Sequence, residues 1–293
     1  MCDLVVGMGE ALWDLLPEGK KIGGAPANFA YHVSQFGLPG CVVSAVGDDA
    51  LGNEIIENFT SKGLNHHIAT VPFPTGTVQV EIDQAGIPQY EITENVAWDN
   101  IPYTGHLEKI AKRTKAVCFG SLAQRNDVSR NTINSFLDAM PQSDDTLVVF
   151  DVNLRQGFYN KEILRDSMER CNILKINDEE LITVGRMFGY PGTDLVDKCR
   201  MLLEEYNLKM LILTCGVNGS YVFTPCSMSF QPTPKVEVAD TVGAGDSFTA
   251  AFIASLLKGK SVAEAHNVAV QTSAYVCTKN GAMPILPEEL TKS

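Results

Sequence analysis

The sequence predicts an α/β fold, with a mostly parallel central sheet covered by helices on both faces, and three observations predict it. From residue 104 onward helical and strand patterns alternate, with helices over 104–112, 127–139, 161–170, 178–187 and 194–206 and strands over 116–120, 146–151, 172–176 and 209–214. Those strands read as continuous apolar runs, the mark of a parallel sheet buried on both sides. Residues 68–93 change style. Segments 68–71, 77–83 and 89–93 alternate in polarity, with Gln84-Ala85-Gly86 as a turn, so they predict a β-hairpin rather than another strand–helix unit.

The N-terminal elements follow the same logic. Residues 4–9 read as a buried first strand. Gly7-x-Gly9 hints at a dinucleotide fingerprint, but Leu12 holds the third glycine position and no helix follows. Asp14 comes next, before a polar turn over 18–21. Gly23-Gly24 lets backbone approach a ligand, and Asn28 falls in the first turn of a helix over 26–36 marked by Phe29, Ala30, Val33 and Phe36. A strand over 41–46 and a helix over about 50–62 precede the hairpin.

Composition bounds the function. At 293 residues and 45% apolar content the chain can bury one large core, so 1–293 reads as a single α/β domain. No stretch approaches the roughly 18 apolar residues of a membrane span. Asp3 and Glu10 interrupt the start, so no signal peptide and a cytoplasmic protein are expected. The eight cysteines form no CxxC pair, which predicts reduced, mostly buried thiols, and the five histidines have no metal-site spacing. A net charge of −12 argues against nucleic-acid partners. An anionic ligand must then be held by local donors and a metal ion.

The most informative stretch is Asp240-Thr241-Val242-Gly243-Ala244-Gly245-Asp246. Small residues lead into a helix whose Phe248, Ala251, Phe252 and Leu256 recur at helical spacing, with Gly259 placed to stop it. A glycine turn at a helix start leaves N–H groups unpaired under a positive dipole and can cradle an anion. A carboxylate there would repel that anion unless it serves as a general base, taking a proton from a nucleophile that attacks phosphorus. Read without chemistry, Asp246 is simply a first-turn acid.

Polar residues also end the apolar strands. In Asp151-Val152-Asn153-Leu154-Arg155, Arg155 fits either a sugar or phosphate contact or a structural salt bridge. Asn177-Asp178-Glu179-Glu180 fits a ligand site or a helix cap with an acidic first turn. In the run 214–220, Thr214 can donate to a phosphate while Gly216 and Gly219 permit a tight turn. Ser261 and Glu264 form a capping box opening a helix that carries Asn267. Neither a GxxxxGK[ST] loop nor a His-Arg-Asp catalytic loop occurs.

The full string Asp240–Asp246 resembles the signature of the PfkB (ribokinase-like) family of carbohydrate and nucleoside kinases. Gly23-Gly24-Ala25-Pro26-Ala27-Asn28, Gly37, Val46-Gly47-Asp48-Asp49 and Gly52 are similar to its N-terminal sugar-site signature, in the expected order. The resemblance implies a ribokinase-like fold with a small β-sheet lid formed by about 12–22 and 68–100. It implies ATP and Mg2+, with K+ as a monovalent activator, and a sugar as acceptor. Asp246 would be the base, with the amides of Gly243, Ala244 and Gly245 on the transferring group. Asp14, Gly23, Gly24, Asn28 and Arg155 would meet the sugar. Asn177, Glu180, Thr214, Gly216, Gly219 and Asn267 would meet the nucleotide. Glu180 would act on the metal through water, and Asp240 and Thr241 would border the monovalent ion. Lid sheets in this family also pair between subunits, which makes a homodimer through the lid an expectation.

The strings 120–125, 151–155 and 97–100 look most like fructokinases, so D-fructose is the first expected acceptor, with ribose, 2-keto-3-deoxygluconate and nucleosides as alternatives. A non-catalytic sugar-binding regulator of the same fold is the reading from another class, and loss of Asp246 or its turn would be its mark.

Overall fold

Each apolar run of the parallel pattern forms a strand in the computed structural model, which describes residues 3–17, 19–82, 88–192 and 194–292. The strands are β1 (Leu4–Met8), β2 (Leu12–Leu16), β3 (Gly19–Gly23), β4 (Gly40–Gly47), β5 (Asn65–Val71), β6 (Gly76–Ile82), β7 (Pro88–Ile92), β8 (Thr114–Gly120), β9 (Leu147–Asp151), β10 (Ile173–Asn177), β11 (Met210–Thr214), β12 (Ser220–Phe223) and β13 (Met228–Gln231). The helices are α1 (Ala25–Gln35), α2 (Ala50–Ser61), α3 (Gly105–Ala111), α4 (Asp127–Ala139), α5 (Lys161–Arg170), α6 (Asp178–Phe188), α7 (Leu195–Glu205), α8 (Ala244–Leu257), α9 (Val262–Cys277) and α10 (Glu288–Thr291).

The main sheet has nine strands in the order β13-β12-β11-β10-β9-β8-β1-β4-β5. All its pairings are parallel except β11 with β12 and β12 with β13. Successive strands build outward from β1 in both directions, so the sheet switches direction there, and a crevice opens beyond the strand C-termini at that point.

Alternate residues of each strand face opposite layers. Val6, Phe119, Leu174 and Leu211 pack with Phe136 of α4, Leu164 of α5, Leu181 of α6 and Leu202 of α7. Val5, Cys118, Val149 and Ile212 pack with Phe29 of α1, Phe252 of α8 and Val268 of α9. Each such large apolar side chain contributes roughly 1.5–3 kcal/mol on burial. Helix α8 is buried from Ser247 through Ser255, so it is seated between the sheet and its neighbours on all sides. That burial fixes its N-terminus over the crevice.

A second sheet of four strands has the order β3-β2-β6-β7. Its composition corrects the boundaries read from sequence. Residues 68–71 belong to β5, the edge of the main sheet, paired in parallel with β4. An edge strand is half-exposed and therefore alternates like a hairpin strand, which is why its polarity misled. Residues 97–100 form a 3-10 turn whose Trp98 is fully buried in the main core. Only 76–82 and 88–92 of the 68–100 segment enter the second sheet. Residues 19–21 extend as part of β3 rather than turning; they are polar because β3 is an exposed edge. Glu18 and the expected turn Gln84-Ala85-Gly86 lie outside the described residues.

The run 214–220 leads into β12 and β13, an antiparallel extension for which the sequence analysis gives no assignment. Among the described residues seven cysteines are free, five of them buried; Cys2 lies outside those residues. No helix among the described residues is long and apolar enough to cross a membrane.

Candidate active site

The turn before α8 is held by glycine for two reasons. Gly243 is the N-cap with φ 77°, a conformation L side chains disfavour, and a Cβ there would stand 2.6 Å from the Ala282 Cβ. The amide of Ala244 donates to Thr241 O at 3.3 Å and that of Ser247 to Gly243 O at 2.8 Å. The amides of Gly243, Gly245 and Asp246 have no protein acceptor among the described residues. The open set therefore includes the amide of Asp246 itself, while that of Ala244, expected to be open, is engaged within the turn. Such unpaired first-turn amides form an anion site.

Asp246 lies in the first turn of α8, and its Oδ2 accepts a 2.8 Å hydrogen bond from Asn28 Nδ2 in α1. Burial pushes its carboxyl up to about 6, with Asp151 adding and Asn28, Lys175 and Arg155 opposing. Together with Glu10, Cys118, Gly120, Asp151 and Asn153 it lines a pocket at the C-terminal ends of β1, β8 and β9. The pocket is thus at the switch point of the sheet.

Beneath it, Lys175 Nζ on β10 donates to Asp151 Oδ1 on β9 at 2.9 Å, with both side chains nearly fully buried. Asp151 and its carboxylate neighbours hold the ammonium well above the ordinary lysine range despite burial. A Cβ at Gly245 would stand 3.1 Å from that Nζ, so Gly245 lets the turn rest on the lysine. Lys175 thus puts a fixed positive charge under the turn and near Asp246.

Of the residues expected on the sugar side, Asn28 bonds Asp246 and Arg155 acts on its carboxyl, whereas none of Asp14, Gly23, Gly24, Asn28 and Arg155 lines this pocket. Asp14 on β2 sits opposite Lys21 of β3, and a Cβ at Gly23 would stand 2.7 Å from Asp14 Oδ2. Burial raises Asp14 to about 6, with Arg155 and then Lys21 opposing. Gly24 caps α1 at φ 114°, and a Cβ there would meet Glu10 O at 2.3 Å, so this glycine lets α1 start against the end of β1. Arg155 is exposed and donates to Leu154 O at 3.1 Å; it pairs with no carboxylate among the described residues. Its guanidinium still lowers the carboxyls of Glu10, Asp14 and Asp246. The structural salt bridge considered for Arg155 is not formed. Gly47, Asp49 and Gly52 stand apart: Asp49 caps Gly52 and accepts from Thr75 N and Oγ1, tying α2 to the start of β6.

The residues expected on the nucleotide side end β10 and β11. Asn177 and Thr214 are register partners there. Asn177 caps α6 in a capping box with Glu180, whose Oε2 accepts from Asn177 N at 3.0 Å while Oε1 accepts from Leu154 N at 3.0 Å. Both oxygens of Glu180 therefore hold backbone, and the helix-cap alternative is the arrangement present. Gly216 and Gly219 have positive φ, and a Cβ at Gly219 would meet Gln231 O at 2.6 Å. Asn267 is exposed on α9 beside His266, whose ring bonds Ser220 at 2.8 Å and Ser229 at 2.9 Å.

Asp240 accepts from Val242 N and Gly281 N, each at 3.0 Å, so it closes its own turn onto the 280–282 turn; Thr241 is exposed. Among the described residues no group of three or more His, Cys, Asp and Glu could hold a metal ion. These side chains do not form a protein metal cage.

Three residues in or beneath the pocket are not singled out by any motif in the sequence. Lys175 was hidden in an apolar run, although a lysine among Ile173, Leu174 and Ile176 was itself a signal. Glu10, 3% exposed, followed the first strand without a motif. Asn153 adopts φ 42°, which no pattern announced.

With this geometry in place, comparison with known proteins is direct. The family model of pfkB family carbohydrate kinases matches residues 18–289. An ATP-dependent 6-phosphofructokinase of Thermoanaerobacterium thermosaccharolyticum is 27% identical over 275 residues, covering 92% of this chain and 83% of the relative. Fructokinase-1 of Oryza sativa subsp. japonica is 28% identical over 318 residues, covering 98% and 96%. The crystal structure of a fructokinase with bound ATP from Xylella fastidiosa superposes with a TM-score of 0.83 at 20% identity, covering 100% of this chain and 98% of that one. The ribokinase-like fold and the two signatures agree with the family match, and the chain belongs to the pfkB family of carbohydrate kinases.

Proposed function

We propose that the protein transfers the γ-phosphoryl group of ATP to a primary hydroxyl of a monosaccharide, converting D-fructose to fructose 6-phosphate. The observation that carries this reading is the placement of Asp246: a half-buried carboxylate, oriented by Asn28, beside unpaired amides at the start of α8. The acceptor oxygen forms a bond to the γ-phosphorus, its proton passes to Asp246, and the bond from that phosphorus to the oxygen bridging it to ADP breaks. Open amides at Gly243, Gly245 and Asp246 stabilise charge on the transferring group, with Lys175 contributing from below.

Asp14, Asn28 and Arg155 bind the sugar beside β2 and α1. Asn177, Thr214, Gly216, Gly219 and Asn267 flank the nucleotide, and Glu180 supports its loop. Mg2+ bound with the nucleotide would supply neutralisation of phosphate charge; among the described residues no cluster of side chains cages it. K+ would sit beside the 240–241 turn through carbonyl and hydroxyl oxygens, the Asp240 carboxylate being engaged. The second sheet closes over the sugar and excludes water, and it is the surface through which two copies would pair. The cytoplasm is the expected compartment.

Fructose is favoured over anionic acceptors because Asp151 and Asp246 line the pocket, and of the two cations near them Lys175 is already paired with Asp151 and Arg155 is exposed. A charged sugar phosphate or sugar acid would meet that field; a neutral polyol offers hydroxyls to it. The test is ADP release with Mg2+-ATP against fructose, fructose 6-phosphate, ribose, glucose, 2-keto-3-deoxygluconate and adenosine, with Asp246→Asn alongside. Release stimulated by fructose and lost in the variant is the expected result. Release with another acceptor would replace fructose, and silence throughout would favour a non-catalytic sugar-binding protein.

A further inference from the structure

Glu10 is the one pocket acid for which the proposed reaction has no use. It follows β1, and its side chain is 3% exposed. It lines the same pocket as Asp246, Asp151 and Asn153, and its Oε2 has no hydrogen-bond partner among the described residues. The backbone there is pinned: a Cβ at Gly24 would meet Glu10 O at 2.3 Å, so α1 abuts the residue from one side. A buried carboxyl oxygen left without a partner is unfavourable unless something in the working protein meets it.

The charges around Glu10 decide its protonation. Asp246 faces it from α8, Asp151 from β9 and the thiol Cys118 from β8, while Arg155 reaches it from the loop after β9. From α1 comes Asn28, which donates to Asp246 and is neutral. Lys175 of β10 is committed to Asp151. Two carboxyl groups, Glu10 and Asp246, thus share a pocket in which Asn28, Lys175 and Arg155 favour ionised Asp246, whereas Arg155 is the one cation that lowers Glu10. Like charges in one buried site do not both ionise readily. Burial pushes both carboxyls up, Glu10 to about 7 and Asp246 to about 6, and because Asn28 donates to Asp246 while Glu10 Oε2 has no partner among the described residues, the ionised form is favoured at Asp246 and the protonated form at Glu10.

We propose that Glu10 is a second acid of the acceptor site, which keeps its proton while Asp246 is ionised and donates a hydrogen bond from its carboxyl to an acceptor oxygen beside the reacting hydroxyl. The assignment of a sugar to this pocket rests on the function proposed above. The division of labour is complementary. Asp246 receives the hydrogen bond of the hydroxyl that reacts, and Glu10 offers one to a neighbouring oxygen, so a polyol meets one acceptor and one donor. An ionised Glu10 would lose the donor and raise the proton affinity of Asp246.

Two measurements test this. In the unliganded protein, the 13C carboxyl signal assigned to Glu10 by its absence in Glu10→Gln should titrate near 7; a midpoint in the ordinary range near about 4.3 overturns the proposal whether or not any sugar binds. Calorimetry at pH 7.5, in buffers of different ionisation enthalpy, then follows binding of the sugar that stimulates ADP release. Uptake of about 0.8 proton per site is expected from a group at about 7 that is protonated only when bound, falling to about none in Glu10→Gln.

Binding of that sugar to the wild type without proton uptake overturns the proposal, as does uptake that persists in Glu10→Gln. The pH profile supplies a readout that a packing role would not move: kcat/KM should fall above about pH 7 in the wild type and keep its plateau in Glu10→Gln. Glu10→Ala, which loses the donor as well as the charge, should lie below Glu10→Gln at every pH. If no sugar binds or stimulates ADP release, the acceptor assignment fails, and the carboxyl titration still decides whether Glu10 holds the proton.

Discussion

Asn28 and Asp246 lie 218 positions apart and meet in one 2.8 Å hydrogen bond, from Asn28 Nδ2 to Asp246 Oδ2. The bond joins the starts of α1 and α8, the two helices that follow the signature glycines Gly24 and Gly243. It leaves Asn28 Oδ1 buried with no partner among the described residues, and so able to accept from an acceptor hydroxyl. One side chain thereby orients the base and presents an acceptor atom next to it.

Asn28→Ala should therefore move a titration as well as weaken binding. The Asn28 bond is the largest influence holding the Asp246 carboxyl down against burial. Without it the acidic limb of kcat/KM should shift upward by about one pH unit, equivalent to about 1.4 kcal/mol. Rate profiles from pH 5 to 9 check this; a limb in its wild-type position would show that Asn28 does not tune the base.

Lys175→Met should destabilise the fold by about 3–5 kcal/mol, because it leaves the Asp151 carboxylate buried and uncompensated. The double variant Asp151→Leu with Lys175→Met removes both charges and should regain most of that loss. Urea unfolding measures both. Activity should not return in the double variant, since the positive charge under Gly245 is gone, and recovery of activity would show that Lys175 serves packing alone.

What could be read from sequence followed from how each residue announces its surroundings. Gly243, Gly245 and Asp246 were legible because a turn with positive φ and a close approach to Ala282 and Lys175 admits few residue types. Asn28, Asp14 and Gly23 stood out through the family resemblance rather than through any backbone geometry that restricts them. Lys175 was not, because a strand buried on both faces looks apolar throughout and its single charge is explained only by a partner on β9. The edge strand β5 was misassigned because half-exposure produces alternation whichever sheet a strand joins. Strands β12 and β13 are four residues each and follow a glycine turn, too short for periodicity to separate from loop.

Asp246→Asn should trade activity for stability. Burial raises the carboxyl from 3.8 to about 6, so the folded state binds its proton more tightly than the unfolded chain and the ionised form is the disfavoured one. The variant should lower kcat by about 10²–10⁴-fold. It should also gain about 1–2 kcal/mol over the wild type, after allowing for solvent screening. That advantage is fully present above about pH 6 and shrinks as pH falls, vanishing below 3.8, where the carboxyl is neutral in the folded and the unfolded chain alike. Denaturant midpoints at pH 4 and pH 8 give the comparison, and a gain of equal size at both would point to packing.

Glu180→Gln separates two accounts of the Asn177–Glu180 motif. In the structure the two carboxylate oxygens hold Asn177 N and Leu154 N, and Leu154 lies between Asn153, which lines the pocket at φ 42°, and Arg155. A glutamine keeps one oxygen acceptor and replaces the other with a donor, so one of these amides loses its partner. The 153–155 segment should loosen. KM for the sugar should then rise, by about 10-fold for one lost hydrogen bond to a charged acceptor, along with any change on the nucleotide side. If Glu180 acted only on metal-bound water, the Mg2+ dependence would move and the sugar KM would stay. Steady-state kinetics with sugar and Mg2+ varied independently distinguish the two, and a rise in sugar KM that saturating Mg2+ does not restore is the expected outcome, because the defect lies in the backbone that presents Asn153.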